Sequence, residues 1–191
     1  MAGLHEAGEL LLSHGKEHIW AHSLEVAEEI GAIAGQYGLD VRDCETAALC
    51  HDIGGILPPE EMLAQAVAEG ILLDPAEERY PFLLHQRFSK RLCGVRLGIE
   101  NQAVLDAVGC HTTLRPGASA LDMALFLADK LRWDQPGVPP YEAIVREKLG
   151  MSLERACLVY IDFSLDSGRV LMPHRLLLEA RSWLIPFSVS S

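Results

Sequence analysis

Residues 17–38 read EHIWAHSLEVAEEIGAIAGQYG, and this stretch decides the fold class. Ile19, Ser23, Val26, Ile30, Ile33 and Tyr37 recur three and four residues apart, the spacing of one face of an α-helix. Gly38 closes the run, as glycine commonly does just past a helix end. The same period continues outward. Asp40, with Asp43 three residues on, is an expected N-cap for a helix through Ala47, Ala48 and Leu49, which Gly54 and Gly55 stop just after His51 and Asp52. Pro58 and Pro59 open another helix running to about Glu69. Further helices are expected at about 83–97, 101–112 and 120–132, the last with a Ser119/Asp122 capping pattern. Two more fit 141–149 and 152–164 beyond the Pro136–Pro140 loop, and 166–173 reads as a loop before a final helix. No run shows the two-residue alternation of a half-buried strand, so the expected fold is all-α. One domain is expected over residues 1–191, with its core at about 15–165 and a C-terminal helical extension at 166–191.

Composition sets the outer limits. The chain has 191 residues, 49% hydrophobic and 23% charged, which excludes a disordered chain and allows a sizeable core. No apolar stretch approaches the roughly 18 to 20 residues of a membrane span. Met1–His14 carries Glu6 and Glu9 and lacks the basic start and apolar block of a secretory signal, so a cytoplasmic protein is expected. Acidic residues outnumber basic ones 27 to 16, a formal net charge of −11. Without a Lys/Arg cluster, nucleic acid and membrane surfaces are not expected partners. A small phosphate compound remains open, provided that local cations offset the field. Five cysteines, Cys44, Cys50, Cys93, Cys110 and Cys157, form no CxxC and read as reduced core residues. No GxxxxGK[ST] phosphate loop is present.

His22, His51-Asp52, His85, His111 and Asp129 punctuate otherwise apolar helices, each in its own. A lone histidine in such a helix is most often a core residue. An ionised Asp there is costly unless it is paired or coordinates a metal, and bundles build metal sites from inward side chains of several helices. The ordered set therefore points to metal. His18 and His22 share a helix face, but Ile19 stands where a zincin needs Glu, so His18 reads as structural or as a support behind the ligands. His5, His14 and His174 lie outside the pattern.

The segments HIWAHS, ALCHDIGG, PFLLHQ, VGCHTTLRPGAS and MALFLADK carry those residues in order. Together they resemble the H…HD…D pattern of the HD superfamily of metal-dependent phosphohydrolases. The closer resemblance is to the YqeK group, bacterial hydrolases that cleave diadenosine tetraphosphate symmetrically and carry two further histidines between the HD pair and the last Asp. It covers about residues 15–165. The resemblance implies an HD-domain helical bundle with its metal site between helices. His22, His51, Asp52 and Asp129 would hold one divalent transition-metal ion, and Asp52 would bridge to a second held by His85 and His111. It points to iron, and such nitrogen and oxygen ligands also suit Mn, Co, Ni or Zn. Asp52 and His51 are the expected catalytic residues, and His111, Thr112, Arg115 and Lys130 the expected nucleotide contacts. Trp133, near the end of the Asp129 helix, is a candidate either to stack on a base or simply to pack in the core or on the surface.

The chain departs from the group at two points. Gly55 stands where the group has Lys, and KLRWDQPG, with Trp133 and Asp134, replaces a Glu-Pro-x-Arg segment. The expected activity is hydrolysis of a dinucleoside polyphosphate such as diadenosine tetraphosphate to two ADP. The alternatives are an HD nucleotidase or phosphodiesterase on another small phosphoester, and a non-catalytic nucleotide-binding sensor. The expected partner is that small nucleotide, and a homodimer is left open.

Overall fold

Every expected helix forms, and two more join them. The computed structural model describes residues 2–133 and 135–188, and no strand occurs among them. The helices are α1 (Ala2–Ser13), α2 (Glu17–Tyr37), α3 (Val41–Cys50), α4 (Pro59–Ala68), α5 (Pro75–Arg79), α6 (His85–Val95), α7 (Gln102–Val108), α8 (Ala120–Leu131), α9 (Glu142–Leu149), α10 (Leu153–Asp166) and α11 (Arg175–Leu184). Short 3-10 turns precede α4 at Ile53–Ile56 and α6 at Pro81–Leu84, and one follows α11 at Ile185–Ser188.

The caps explain most boundaries. Asp40 accepts from the backbone N–H groups of Arg42 and Asp43 and opens α3. Ser119 and Asp122 exchange the two bonds of a capping box at the start of α8. Gly38 ends α2 in the left-handed region, with φ 66°. The end of α3 differs from expectation. Neither Gly54 nor Gly55 adopts a positive φ, and the helix tightens into the Ile53–Ile56 turn instead of being broken by a left-handed glycine. Gly54 serves close approach. A Cβ there would lie 2.4 Å from the backbone oxygen of His85 and 2.8 Å from the nitrogen of Ser89. Its own N–H donates to Ser89 Oγ at 2.9 Å. α6 is thereby seated directly on the turn that carries Asp52.

α2 packs on α3 and α8, while α7 fits between α3 and α8. α8 is the central helix: Met123 to Ala128 are all buried, so it is apolar nearly all round until Asp129. Of the two unforeseen helices, α1 packs on α2 and α3, and α5 packs on the Pro81–Leu84 turn. α1 buries Ala7 and Leu11 against the main core, and α5 is held by a capping box between Asp74 and Glu77. α11 also joins the main core through Leu177, Ala180 and Leu184. It is pinned to α5 by Arg175 N–H, which donates to Asp74 Oδ2 at 3.1 Å. His174 caps α11 by accepting from Leu176 N–H on Nδ1. A second small cluster, Met62, Ala66, Leu84 and Phe88, packs α4 against the turn before α6. Among the described residues no helix is long and apolar enough to cross a membrane.

Candidate metal centre

Five segments converge on one point. His22 comes from α2, His51 and Asp52 from the end of α3, His85 from the first residue of α6, and Asp129 from the last turn of α8. His111 lies in the turn after α7, not inside a helix as expected, because α7 ends at Val108. His51 likewise sits just past the end of α3. The chain bends at the site, which lets a side chain leave the helix axis and reach the centre.

Three of the imidazoles are oriented alike. Nδ1 of His51 lies 2.6 Å from the carbonyl of Ala48, that of His85 2.6 Å from Phe82, and that of His111 2.8 Å from Val108. A carbonyl can only accept, so each Nδ1 carries a proton and each Nε2 is the ring nitrogen turned inward toward the cluster. Asp52 Oδ1 lies 3.2 Å from Nε2 of both His85 and His111, and those two nitrogens are 3.0 Å apart. His22 Nε2 lies 3.0 Å from Asp129 Oδ1, and His51 Nε2 is 3.7 Å from the same oxygen and 3.4 Å from Asp52 Oδ2.

This donor set fits a cation. His51 Nε2 and Asp52 Oδ1 are buried without a hydrogen-bond partner. Two imidazole nitrogens 3.0 Å apart, beside two carboxylates, are a donor set that a shared cation would suit. One ligand atom each from His22, His51 and Asp129 lie within 4.8 Å of one another, and so do those from His51, Asp52 and His111. No cysteine is near enough to join either group, so the ligands are the imidazole and carboxylate type that suits first-row divalent ions.

The electrostatics follow from burial set against close partners. Burial would raise the Asp52 carboxyl, but the His51, His111 and His85 imidazoles overcome it and hold Asp52 well below the usual carboxylate range. Asp129 is lowered in the same way against burial, chiefly by Lys130, whose Nζ lies 2.5 Å from Oδ2, and then by His22 and His51. Burial disfavours a charged His51, yet Asp52 and Asp129 raise its pKa well above the ordinary histidine value. His111 goes the other way: burial outweighs its contact with Asp52, and it falls to about 4. Both carboxylates stay ionised, and a divalent cation would displace the His51 proton.

The cluster opens on two sides. One cavity of about 880 Å³ is lined by His22, Asp52, His85, Lys16, Ile19 and Gly55 among others, and its remaining wall is largely apolar. A second of about 480 Å³ is lined by His22, Asp52, His85, His111, Asp129, Lys130 and Arg169. The two share His22, Asp52, His85, Trp133 and Gln135. Beyond the second lies a smaller cavity of about 240 Å³ walled by Phe82, Leu83, Tyr160, Leu171 and Met172.

Among the expected nucleotide contacts, Thr112 and Lys130 line the second cavity, and Thr112 Oγ1 is 3.1 Å from His85 Nε2. Arg115 does not line either cavity. Its guanidinium is held by Asp122 at 2.8 Å and by Asp106 at 3.4 Å, which ties the turn after α7 to the start of α8. Trp133 borders both cavities and meets the Tyr141 ring edge-on. Asp134 lies outside the described residues. Sequence reasoning missed Lys16 and Arg169, which belong to no motif and reach the cleft only through tertiary packing.

The HD-domain family model matches residues 19–134 of the chain. The chain belongs to the HD-domain family. This HD protein is 38% identical over 135 residues to an uncharacterized protein from the pepC 5′ region of Lactococcus lactis subsp. cremoris, covering 71% of this chain and 69% of that one. It is 26% identical over 171 residues to the symmetrical bis(5′-nucleosyl)-tetraphosphatase of Bacillus subtilis (strain 168), covering 88% and 90%. A crystal structure from Clostridium acetobutylicum, described as a predicted HD superfamily hydrolase involved in NAD metabolism, superposes with a TM-score of 0.85. The two are 27% identical, with 95% of this chain and 96% of that one covered. The chain is thus an HD-domain phosphohydrolase, of a family that binds divalent metals, and its His/Asp cluster could hold a metal.

Proposed function

We propose that this HD protein hydrolyses dinucleoside polyphosphates, with diadenosine tetraphosphate cut symmetrically to two ADP. The observation that carries the reading is the position of the cluster at the junction of two cavities, which leaves room for a nucleoside on either side of a phosphate chain. The activity for which the Bacillus subtilis relative is named supports the same substrate class.

In this reading His22, His51, Asp52 and Asp129 would hold one divalent ion, and Asp52, His85 and His111 would hold a second, with iron favoured. Bound ions would supply charge neutralisation for the phosphate and an activated water. The protein contributes orientation. Nδ1–H bonds to backbone carbonyls fix His51, His85 and His111, and Lys130 fixes Asp129. Asp52, about a quarter of whose side chain faces the cleft, is placed between the two ligand groups. One water adds to phosphorus as the bridging P–O bond breaks, and the leaving ADP keeps the bridging oxygen. The buried free thiols agree with a reducing, cytoplasmic setting.

The test is turnover of diadenosine tetraphosphate by protein reconstituted with Fe, Mn, Co, Ni or Zn in turn, with the products separated. Two ADP per substrate is expected. ATP plus AMP, or turnover confined to mononucleotides with every metal, would overturn the proposal.

A further inference from the structure

Each of the two cavities flanking the cluster contains one cation that no carboxylate of the described residues holds. Lys16 lines the larger cavity, and Arg169 lines the second. The other basic residues close to the site are committed. Lys130 is paired with Asp129, Arg115 with Asp122 and Asp106, and Arg132 with Glu29 at 2.9 Å and Glu28 at 3.6 Å. Lys16 and Arg169 make no ion pair among the described residues. Arg169 instead lies over the Trp133 ring, 5.6 Å from its centroid, a contact that holds the guanidinium at the cleft without neutralising it.

The arrangement matters because the chain carries a net charge of −11, and Asp52, Asp129 and Glu25 face the same cavities. A polyanion crossing the cluster meets that acidic field on both sides. We infer that Lys16 and Arg169 are the phosphate-holding cations of this enzyme, one for each arm of a polyphosphate chain that extends to both sides of the His/Asp cluster. The inference rests on the proposed function for the identity of the chain. It makes the segment between α10 and α11, and the residue just before α2, part of the substrate site. They take the place of the Lys and Arg missing at Gly55 and in KLRWDQPG.

Losing one charge-assisted contact to a phosphate typically changes affinity by about ten-fold or more. Lys16→Ala and Arg169→Ala should each lower kcat/KM on diadenosine tetraphosphate by about ten-fold, and the double variant by about a hundred-fold, because the two cations touch different arms. Lys16→Arg and Arg169→Lys should recover most of the loss. On bis(p-nitrophenyl) phosphate, whose single phosphorus sits at the cluster, every variant should lose far less than on the tetraphosphate. The activity assay is paired with calorimetric binding of inorganic tripolyphosphate to the metal-reconstituted protein, where the double variant should bind at least ten-fold more weakly. A double variant within two-fold of wild type on the tetraphosphate overturns the inference and leaves the proposed function standing. If wild type does not cleave the tetraphosphate, the proposed function fails, and tripolyphosphate binding alone decides on the cations. Equal affinity of wild type and double variant would then overturn them too.

Discussion

Gly54→Ala probes the join between the fold and the site. Its new methyl would stand 2.4 Å from the backbone oxygen of His85 and 2.8 Å from the backbone nitrogen of Ser89. Neither atom belongs to a side chain that can rotate away. To bring the first distance to 3.0 Å, α6 must retreat from the Ile53–Ile56 turn by about 0.6 Å, the difference between the two values. Overpacking of this kind costs about 1–3 kcal/mol, and backbone partners favour the upper part of that range. For a chain of this length the melting temperature should fall by roughly 4–12 °C. Activity should fall as well, because His85 leads α6 and its Nε2 sits 3.2 Å from Asp52. Since misplacement by about 1 Å can cost a hundred-fold, a loss of ten-fold or more in kcat is expected. Gly31→Ala is the control: it lies inside α2, and a Cβ there meets nothing within 4 Å. It should be neutral or slightly stabilising, by up to about 1 kcal/mol. Thermal melts and steady-state kinetics of both variants check the reasoning. A Gly54→Ala protein that melts within 1 °C of wild type and keeps its kcat would refute it.

Other perturbations follow from the same geometry. Asp52→Asn keeps the volume but removes the charge shared by His51, His85 and His111, so turnover should drop by more than about a hundred-fold while the metal-free protein stays folded by circular dichroism. A folded variant with wild-type turnover would remove Asp52 from its assigned place. Gly55→Lys meets only the tip of Ile19, 2.6 Å from its Cδ1, and no positive φ stands in the way. It should cost about 1 kcal/mol through a displaced rotamer, a cost relieved by Ile19→Ala, and it should raise kcat/KM on diadenosine tetraphosphate by up to about ten-fold. Unaltered kinetics would show that the cleft needs no cation at that point. Glu29 is buried on α2, and although burial raises its pKa, Arg146 and Arg132 bring it below the usual value. Its stabilisation is therefore complete above the unfolded-state pKa near 4.3 and lost as pH falls through the lower folded value. Glu29→Gln should cost about 1–2 kcal/mol at pH 7 in urea titrations, discounted for the partly exposed arginines, and less at pH 3.5. An equal cost at both values would assign the loss to packing.

The sequence was most legible where local chemistry and tertiary demand agree. Asp40, Ser119 and Gly38 mark helix ends through caps that depend on a few neighbouring residues, and the structure places those ends where expected. α1 left no comparable mark. Its helix is justified by Ala7 and Leu11 reaching a core built from residues far along the chain. The Asp74/Glu77 capping box was present in the sequence but frames only five residues, too short for a periodic signal. The histidines and aspartates of the centre were legible as an ordered set because each interrupts an apolar run. Arg115 misled because its place beside His111 in HTTLRPG says nothing about its direction, and two carboxylates claim it. Lys16 and Arg169 were illegible for the opposite reason: their surroundings are ordinary loop residues, and only the packing of α2 and α11 brings them to the cleft.

The spread of the centre along the chain also bears on how the molecule assembles. His22 and Asp129 meet across 107 residues, and the intervening ligands belong to three more segments. No pair of neighbouring elements holds the full set, so an ion cannot template an early step of folding. In the proposed reading the ion of His22, His51, Asp52 and Asp129 needs α2, α3 and α8 to have docked, and the ion of Asp52, His85 and His111 needs the end of α3, α6 and the turn after α7. Interactions made after the rate-limiting step leave the folding rate alone and slow unfolding instead. Loading the site should therefore act as a late clasp that lengthens the lifetime of the native chain without hastening its formation. In stopped-flow experiments this would appear as a chevron whose unfolding limb drops on metal addition while the refolding limb stays where it was.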